Sequence, residues 1–157
     1  MDVTIKQQPE LRVGTVRHIG PYDKISQAFE RLGAIMNGAK RPPNGQLLAL
    51  YYDDPQTTAA DRLRSDAALS FPDGAPVPAG LIERRVAAGQ YASAVHVGSY
   101  EHLGKAWADL KKAIEVRGLR ARGTGSVSYE LYLNDPMTAS PKELRTELFV
   151  PLDHGSV

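Results

Sequence analysis

The 157-residue chain contains no cysteine, and that absence excludes several classes of protein. It can have no disulfide framework, no cysteine-ligated zinc or iron–sulfur cluster and no thiol nucleophile. It also lacks the run of about 18 apolar residues that a membrane-spanning helix requires, and its polar N-terminus has no apolar core of a secretory signal. We therefore expect a cytoplasmic protein without a membrane partner.

An excess of charge of one sign is missing as well. Nineteen Lys and Arg residues face 18 Asp and Glu residues, which leaves a net charge of +1. Proteins that neutralise phosphates carry a clear basic excess, so we expect no direct binding to nucleic acid. Phosphate-binding glycine loops, the HExxH zinc motif and the GxSxG hydrolase motif are absent, and the histidines suggest no third metal ligand. We predict neither a metal nor a cofactor.

The chain does contain an internal repeat, which indicates its architecture before any propensity is considered. Residues 16–32 align with residues 94–110 at an offset of 78, and both segments carry the apolar stripe of an amphipathic helix. Residues 47–55 align with residues 128–136 at an offset of 81. Equivalent residues in the first alignment are His18 and His96, Gly20 and Gly98, and Tyr22 and Tyr100. One duplication explains both alignments.

Each repeat is predicted to form a strand hairpin, a helix and two further strands. The predicted helices span residues 22–37 and 100–117. In the second repeat, 81–85 and 91–97 should form a hairpin around a turn at 88–90. Strands at 127–133 and 145–150 should pair antiparallel, and Ser140 with Glu143 forms a capping-box pattern between them.

The two halves, about 1–71 and 81–152, are separated by a Pro- and Gly-rich linker at 72–80. Halves of this size would be marginal alone, because small cores supply little burial. We therefore expect one domain over residues 1–157. The predicted fold is α+β: duplicated strand-helix-strand-strand modules in one antiparallel sheet, with helices on one face and a ligand cleft between the halves.

Acidic residues on two predicted strands are the candidates for chemistry. The strand period of two places Glu130 with Tyr132 on one face and Tyr129 on the other, which we expect to be the helix-covered face. Glu147 and Phe149 share a face of the next strand. Such glutamates most often lie on a solvated face beside an arginine, and a pocket is the alternative.

The repeat favours the pocket for one of these glutamates. Glu130 corresponds to Ala49 in the first half, whereas Tyr132 corresponds to Tyr51. The second half therefore has a carboxylate that the first half does not have. Trp107 is predicted to lie in the core or to line the cleft, and if it were fully buried, Trp107→Ala would cost roughly 3 to 5 kcal/mol.

Four strings resemble the gyrase-inhibitor-like, or effector-binding, domain superfamily: GPY at 20–22, GSY at 98–100, YELYLNDP at 129–136 and ELRTELFVPL at 143–152. The resemblance covers nearly the whole chain. It implies a duplicated fold whose cleft, lined with aromatic and acidic residues, binds amphipathic and often cationic organic molecules. In this superfamily the domain occurs alone or behind DNA-binding modules, and the roughly ten residues before the first long strand here are too few for a helix-turn-helix.

The resemblance also implies which residues form the site. Glu130 and Glu147 fall on the acidic positions of the family strings, and Tyr100 falls on the tyrosine of the GPY string. Ser99 stands where proline is common, a departure that bears on the helix entry. The implied ligand-binding residues are Glu130, Glu147, Tyr132, Phe149, Trp107, Tyr100, Tyr51 and Tyr22.

Three functions remain open at this point. The leading hypothesis is a stand-alone protein that binds amphipathic, cationic small molecules and has no catalytic residue. The second is an inhibitor of DNA gyrase, or another regulator that binds a macromolecule, with gyrase or a regulator as a possible protein partner. The third is a hydrolase in which Glu130 acts as general base and Tyr100 or Tyr132 donates a hydrogen bond to the oxyanion. Binding is favoured over catalysis, because fold analogy alone is weak support for a reaction.

Overall fold

The computed structural model describes residues 1–39, 42, 45–123 and 125–153. Its strands and helices, in chain order, are β1 (Thr4–Gln8), β2 (Leu11–Ile19), α1 (Ser26–Met36), β3 (Leu47–Tyr51), β4 (Arg64–Ser70), β5 (Ile82–Val86), β6 (Gly89–Val97), α2 (Leu103–Val116), β7 (Ser128–Tyr132) and β8 (Arg145–Pro151). The chain forms two compact units: the α1 unit is Glu10–Ala87, and the α2 unit is Met1–Pro9 with Ala88–Val157. The strand pairs within both units are antiparallel, so the predicted α+β fold is confirmed.

The α1 unit packs one helix on a four-stranded sheet of order β3-β4-β2-β5. Ala28 and Leu32 of α1, one helical turn apart, are buried against Val16, Ala67 and Leu69 of the sheet. The predicted helix at 22–37 begins with a 3₁₀ turn, Tyr22–Lys24, and continues as α1. The 72–80 linker contains neither helix nor strand.

The α2 unit repeats this arrangement with the sheet order β1-β6-β8-β7. Ala106, Leu110 and Ile114 recur every four residues on α2 and bury their side chains against the sheet. Their neighbours there include Leu148 and Val150 of β8. A 3₁₀ turn at Tyr100–His102 precedes α2, β7 pairs with β8 as predicted, and the capping box at Ser140 and Glu143 is present.

The leading strands of the two repeats are exchanged between the units. β1 pairs with β6 along its whole length, and β5 pairs with β2. The predicted hairpin of β5 with β6 is therefore wrong. Only Ala87 and Ala88 join these two strands, and the tight hairpin turns need residues that adopt positive φ easily, which alanine does not. As a result, neither compact unit coincides with a sequence half.

Neither helix within the described ranges has the length and apolar character that would allow it to cross a membrane.

Deleting residues 2–8 tests the exchange of strands. Without β1, the β6 strand becomes a sheet edge, so its backbone amides at Tyr91 and Ser93 should exchange hydrogen with solvent about tenfold faster or more. Amides of β2 should keep their protection, because their partners β4 and β5 remain. Hydrogen exchange followed by mass spectrometry measures both. Faster exchange in β2 with unchanged β6 would contradict the pairing.

Candidate functional site

The two faces of the α2-unit sheet differ in what covers them. Glu130 lies directly opposite Leu148 in the strand register, and Leu148 packs under α2, so Glu130 is on the helix-covered face, called here the helix face. Tyr129 lies opposite Phe149 on the other face, called here the Phe149 face. The prediction that the Tyr129 side faces the helix is therefore wrong. The alternation of side chains along a strand assigns residues to two faces of the sheet. Both faces carry large apolar residues here, so the alternation does not show which face the helix covers.

Glu130 is a buried carboxylate surrounded by aromatic side chains. It is only 2% exposed. The indole N–H of Trp107 donates to its Oε1 at 2.7 Å, and the Tyr132 hydroxyl donates to its Oε2 at 2.7 Å. Both oxygens thus act as acceptors, and both of these donors are neutral groups. Such an arrangement fixes the carboxylate and is suited to holding a positive charge beside π-faces.

Trp107 lies at the margin of the core. Its ring packs against the cluster that α2 buries, but it is only partly buried. The predicted loss of roughly 3 to 5 kcal/mol in stability on Trp107→Ala assumed a fully buried side chain. Since Trp107 is only partly buried, that condition is not met. Its indole instead links the helix to Glu130 on β7.

Tyr100 enters the same group from the turn before α2. Its ring centroid is 5.5 Å from that of Tyr132. Burial raises the pKa of the Tyr100 phenol, and the charges of Asp135 and Glu130 raise it further. Among the described residues, its hydroxyl has no hydrogen-bond partner.

The turn that places Tyr100 depends on two other residues of the repeat motif. Gly98 has φ +130°, a backbone conformation that favours glycine. The His96 Nε2 atom hydrogen-bonds to the Ser99 carbonyl at 3.0 Å, and His18 does the same to the Pro21 carbonyl in the α1 unit. The paired histidines therefore hold equivalent turns in the two units.

Glu147 and Phe149 do not join this group. Ser93, which bonds to Glu147, lies opposite Phe149 in the register, so all three side chains are on the Phe149 face. The rings of Phe149 and Tyr129 stack at 4.5 Å, and Tyr91 packs edge-on against both. A ligand beside Glu130 cannot also contact Glu147, because the sheet lies between them. The prediction of one site with both glutamates is wrong for this reason.

Tyr22 and Tyr51 form the corresponding pair in the α1 unit, with ring centroids 4.8 Å apart. Ala49 is fully buried where the α2 unit has Glu130. The Tyr22 hydroxyl is tied to the backbone of Asp53, as donor to its carbonyl at 2.7 Å and acceptor from its amide at 3.0 Å. The role of Tyr22 and Tyr51 as ligand contacts stays a prediction.

Sequence reasoning missed one cluster, around Asp66 of the α1 unit. Asp66 is fully buried and forms ion pairs with Arg17 at 2.6 Å and Arg84 at 3.2 Å. Tyr52 donates its hydroxyl to the same carboxylate, and the Arg17 guanidinium lies 4.7 Å from the Tyr52 ring centroid. Desolvation by burial, and then the bond to Asp66, raise the pKa of Tyr52. The repeat could have revealed this cluster, since Asp66 corresponds to Glu147 at the 81-residue offset.

The Trp107–Glu130 hydrogen bond can be tested by a double-mutant cycle. Trp107→Phe keeps one aromatic ring and removes the indole N–H together with part of the ring surface, so it should lower the free energy of unfolding by about 1–3 kcal/mol. Glu130→Ala introduces the residue that the first repeat has there. In that background the cost of Trp107→Phe should be smaller by about 1 kcal/mol or more, because contacting residues are coupled. Urea denaturation measures the four proteins, and equal costs in both backgrounds would contradict the contact.

Comparison with known proteins finds relatives of this chain and solved structures of the same fold. A DNA gyrase inhibitor from Serratia proteamaculans (strain 568) is 36% identical over 146 residues, which cover 86% of this chain and 88% of the relative. The solved EcmrR C-terminal domain has a TM-score of 0.78 at 19% identity, with 97% of each chain covered. The structure of SAV2435 bound to tetraphenylphosphonium has a TM-score of 0.70 at 13% identity, covering 98% of this chain and 95% of that one.

The family itself follows from a match that includes every element described above. The family model of the GyrI-like small molecule binding domain matches residues 1–153, a range that includes every strand and helix from β1 to β8. Its span contains both repeats and all members of the Glu130 group. The chain therefore belongs to the GyrI-like small-molecule-binding domain family.

Proposed function

We propose that this protein binds amphipathic organic cations at a site in the α2 unit formed by Glu130, Trp107, Tyr132 and Tyr100. The observation that carries the proposal is the Glu130 carboxylate, 2% exposed and hydrogen-bonded by an indole and a phenol. A charge in surroundings of low polarity acts more strongly on a second charge than it would in water. A cation beside Glu130 would gain that attraction.

The aromatic side chains supply the second part of the recognition. Trp107, Tyr132 and Tyr100 present ring surface next to the carboxylate. A cation over such a ring gains about 0.5 to 2 kcal/mol, and the apolar part of an amphipathic ligand gains from burial against the same rings. The Tyr100 hydroxyl, without a partner among the described residues, can also donate to an acceptor on the ligand. The site thus suits a cation with aromatic or alkyl groups.

Comparison of the two repeats supports the assignment to the α2 unit. At the equivalent positions the first repeat has Ala49 for Glu130 and Phe29 for Trp107. It also ties the hydroxyl of Tyr22, the counterpart of Tyr100, to the Asp53 backbone. These changes remove the acidic group and occupy the phenol. SAV2435, a structural neighbour of the same fold, was solved with tetraphenylphosphonium bound, a lipophilic cation of the proposed class.

Calorimetric titration with tetraphenylphosphonium tests the proposal. Glu130→Gln removes the charge with little change in shape, and it should weaken binding at least about tenfold, or about 1.4 kcal/mol. Glu115→Gln is the matched control, because it removes the same charge from an exposed position on α2. Circular dichroism checks that both variants are folded. Equal affinity of the two variants, or no binding by the unaltered protein, would contradict the proposal.

A second candidate function is inhibition of DNA gyrase, because curated relatives such as those from Serratia proteamaculans and Dickeya dadantii carry that name. They are 36% and 34% identical to this chain over 86% and 81% of its length. A supercoiling assay with purified gyrase tests it. Loss of supercoiling at micromolar protein would support a protein partner, and full supercoiling at that concentration would argue against one.

A further inference from the structure

A cavity of about 350 Å³ in the α2 unit is separate from the Glu130 group. Lys6, Ser93 and Glu147 line it, and their side chains are on the Phe149 face of the sheet. Binding pockets for small molecules usually have volumes of roughly 300 to 1,000 Å³, so this cavity suits a small ligand. Nothing in the proposed function uses it.

Glu147 lines this cavity, and its two carboxylate oxygens differ in their hydrogen bonds. The residue is 7% exposed. The Ser93 hydroxyl at 2.5 Å and the Lys6 ammonium at 2.6 Å both donate to the same oxygen, Oε2. The other oxygen, Oε1, accepts no hydrogen bond from any residue in the described ranges, and it is not among the atoms sealed from solvent. A buried carboxylate with one open acceptor calls for a hydrogen-bond donor.

The open Glu147 oxygen and the rim of the cavity indicate what kind of ligand fits. The rim is apolar, since Met1, Val95 and Val97 line the cavity and are 55%, 40% and 57% exposed. An ammonium ion with N–H donors for the open oxygen and a small apolar body for the rim matches both features.

We propose that this cavity is a second binding site, which takes a small primary amine in its protonated form. The ammonium group donates to Glu147 Oε1, and its alkyl or aryl group lies against Val95 and Val97. Selectivity differs from that of the Glu130 group, because a phosphonium or quaternary ammonium ion has no N–H to give to Oε1.

The corresponding position in the α1 unit has no open acceptor. Asp66 is 0% exposed, and its Oδ1 accepts from Arg17 while its Oδ2 accepts from Tyr52 and lies 3.2 Å from Arg84. Two arginines and a tyrosine thus complete this carboxylate. The same fold position is filled from within the protein in one unit and left with a free oxygen in the other.

Titration of the ¹⁵N-labelled protein with benzylammonium chloride, followed by NMR, tests the second site. Benzyl alcohol is the matched probe without charge. Benzylammonium should shift the amides of Ser93, Val95 and Glu147 with a dissociation constant on the order of millimolar, as expected for so small a ligand. Benzyl alcohol should leave them unchanged. Shifts confined to Glu130 and the Trp107 indole, or equal shifts with both probes, would overturn the proposal.

Two variants identify the residues responsible. Glu147→Gln keeps an acceptor for Ser93 and Lys6 and replaces the open oxygen by a donor, so benzylammonium should bind about tenfold more weakly or worse. If that variant is unfolded, Val97→Trp tests the site instead. The larger side chain fills the cavity from an exposed position, so it should weaken the binding of benzylammonium. Ile19→Trp is its control at the equivalent, 56% exposed position of the first repeat. Unchanged binding in Val97→Trp, or equal loss in Ile19→Trp, would overturn the site.

Discussion

A carboxylate taken out of water must be hydrogen-bonded or paired, and this constraint decides how three acidic residues in the described ranges are surrounded. Asp66, Glu130 and Glu147 are all at least nine-tenths buried. Asp66 is surrounded by two arginines and a tyrosine, and Glu147 by a lysine and a serine. Glu130 is held by Trp107 and Tyr132. Asp66 and Glu147 therefore pair with cationic side chains from strands. Glu130 accepts hydrogen bonds from the aromatic side chains of Trp107 and Tyr132.

Lys6 and Arg84 reach these acids through the exchange of leading strands. Lys6 is on β1 and Arg84 is on β5, and the two residues are equivalent in the repeat at the 78-residue offset. Each reaches a buried acid two strands away in the unit that its strand has joined, Glu147 for Lys6 and Asp66 for Arg84. Both units therefore contain an ion pair between a buried acid and a basic residue of the exchanged strand. Each sheet depends on that strand for an edge and for a charge.

Much of the fold could be predicted from the sequence, because local periodicity specifies it. The helices, the β7–β8 pair and the capping box follow from patterns within about 30 residues. The partner of β5 could not be predicted, since strand pairing is a long-range choice and the adjacent strands suggested a hairpin. The helix-covered face was predicted wrongly. A buried Tyr129 is compatible with either face of the sheet, so its apolar ring does not show which face the helix covers. The repeat drew attention to Glu130, where Ala49 is its counterpart, and the structure buries this carboxylate. Its role as a ligand contact stays a prediction.

The strand register separates the two glutamates that the sequence analysis had assigned to one site. Glu130 is on the helix face and Glu147 is on the Phe149 face, so the sheet lies between them. Duplicated units can diverge at equivalent positions once one copy supplies the function. Here the first copy has Ala49 and ties the Tyr22 hydroxyl to the Asp53 backbone, while the second has the buried carboxylate of Glu130 and a Tyr100 hydroxyl without a hydrogen-bond partner among the described residues.

The central claim is that the second repeat alone carries the cation site. A crystal structure of the protein with tetraphenylphosphonium tests it most directly. We expect one ligand beside the Glu130 carboxylate, in contact with the rings of Trp107, Tyr132 and Tyr100. A ligand bound beside Ala49 with the Glu130 carboxylate unoccupied would contradict it.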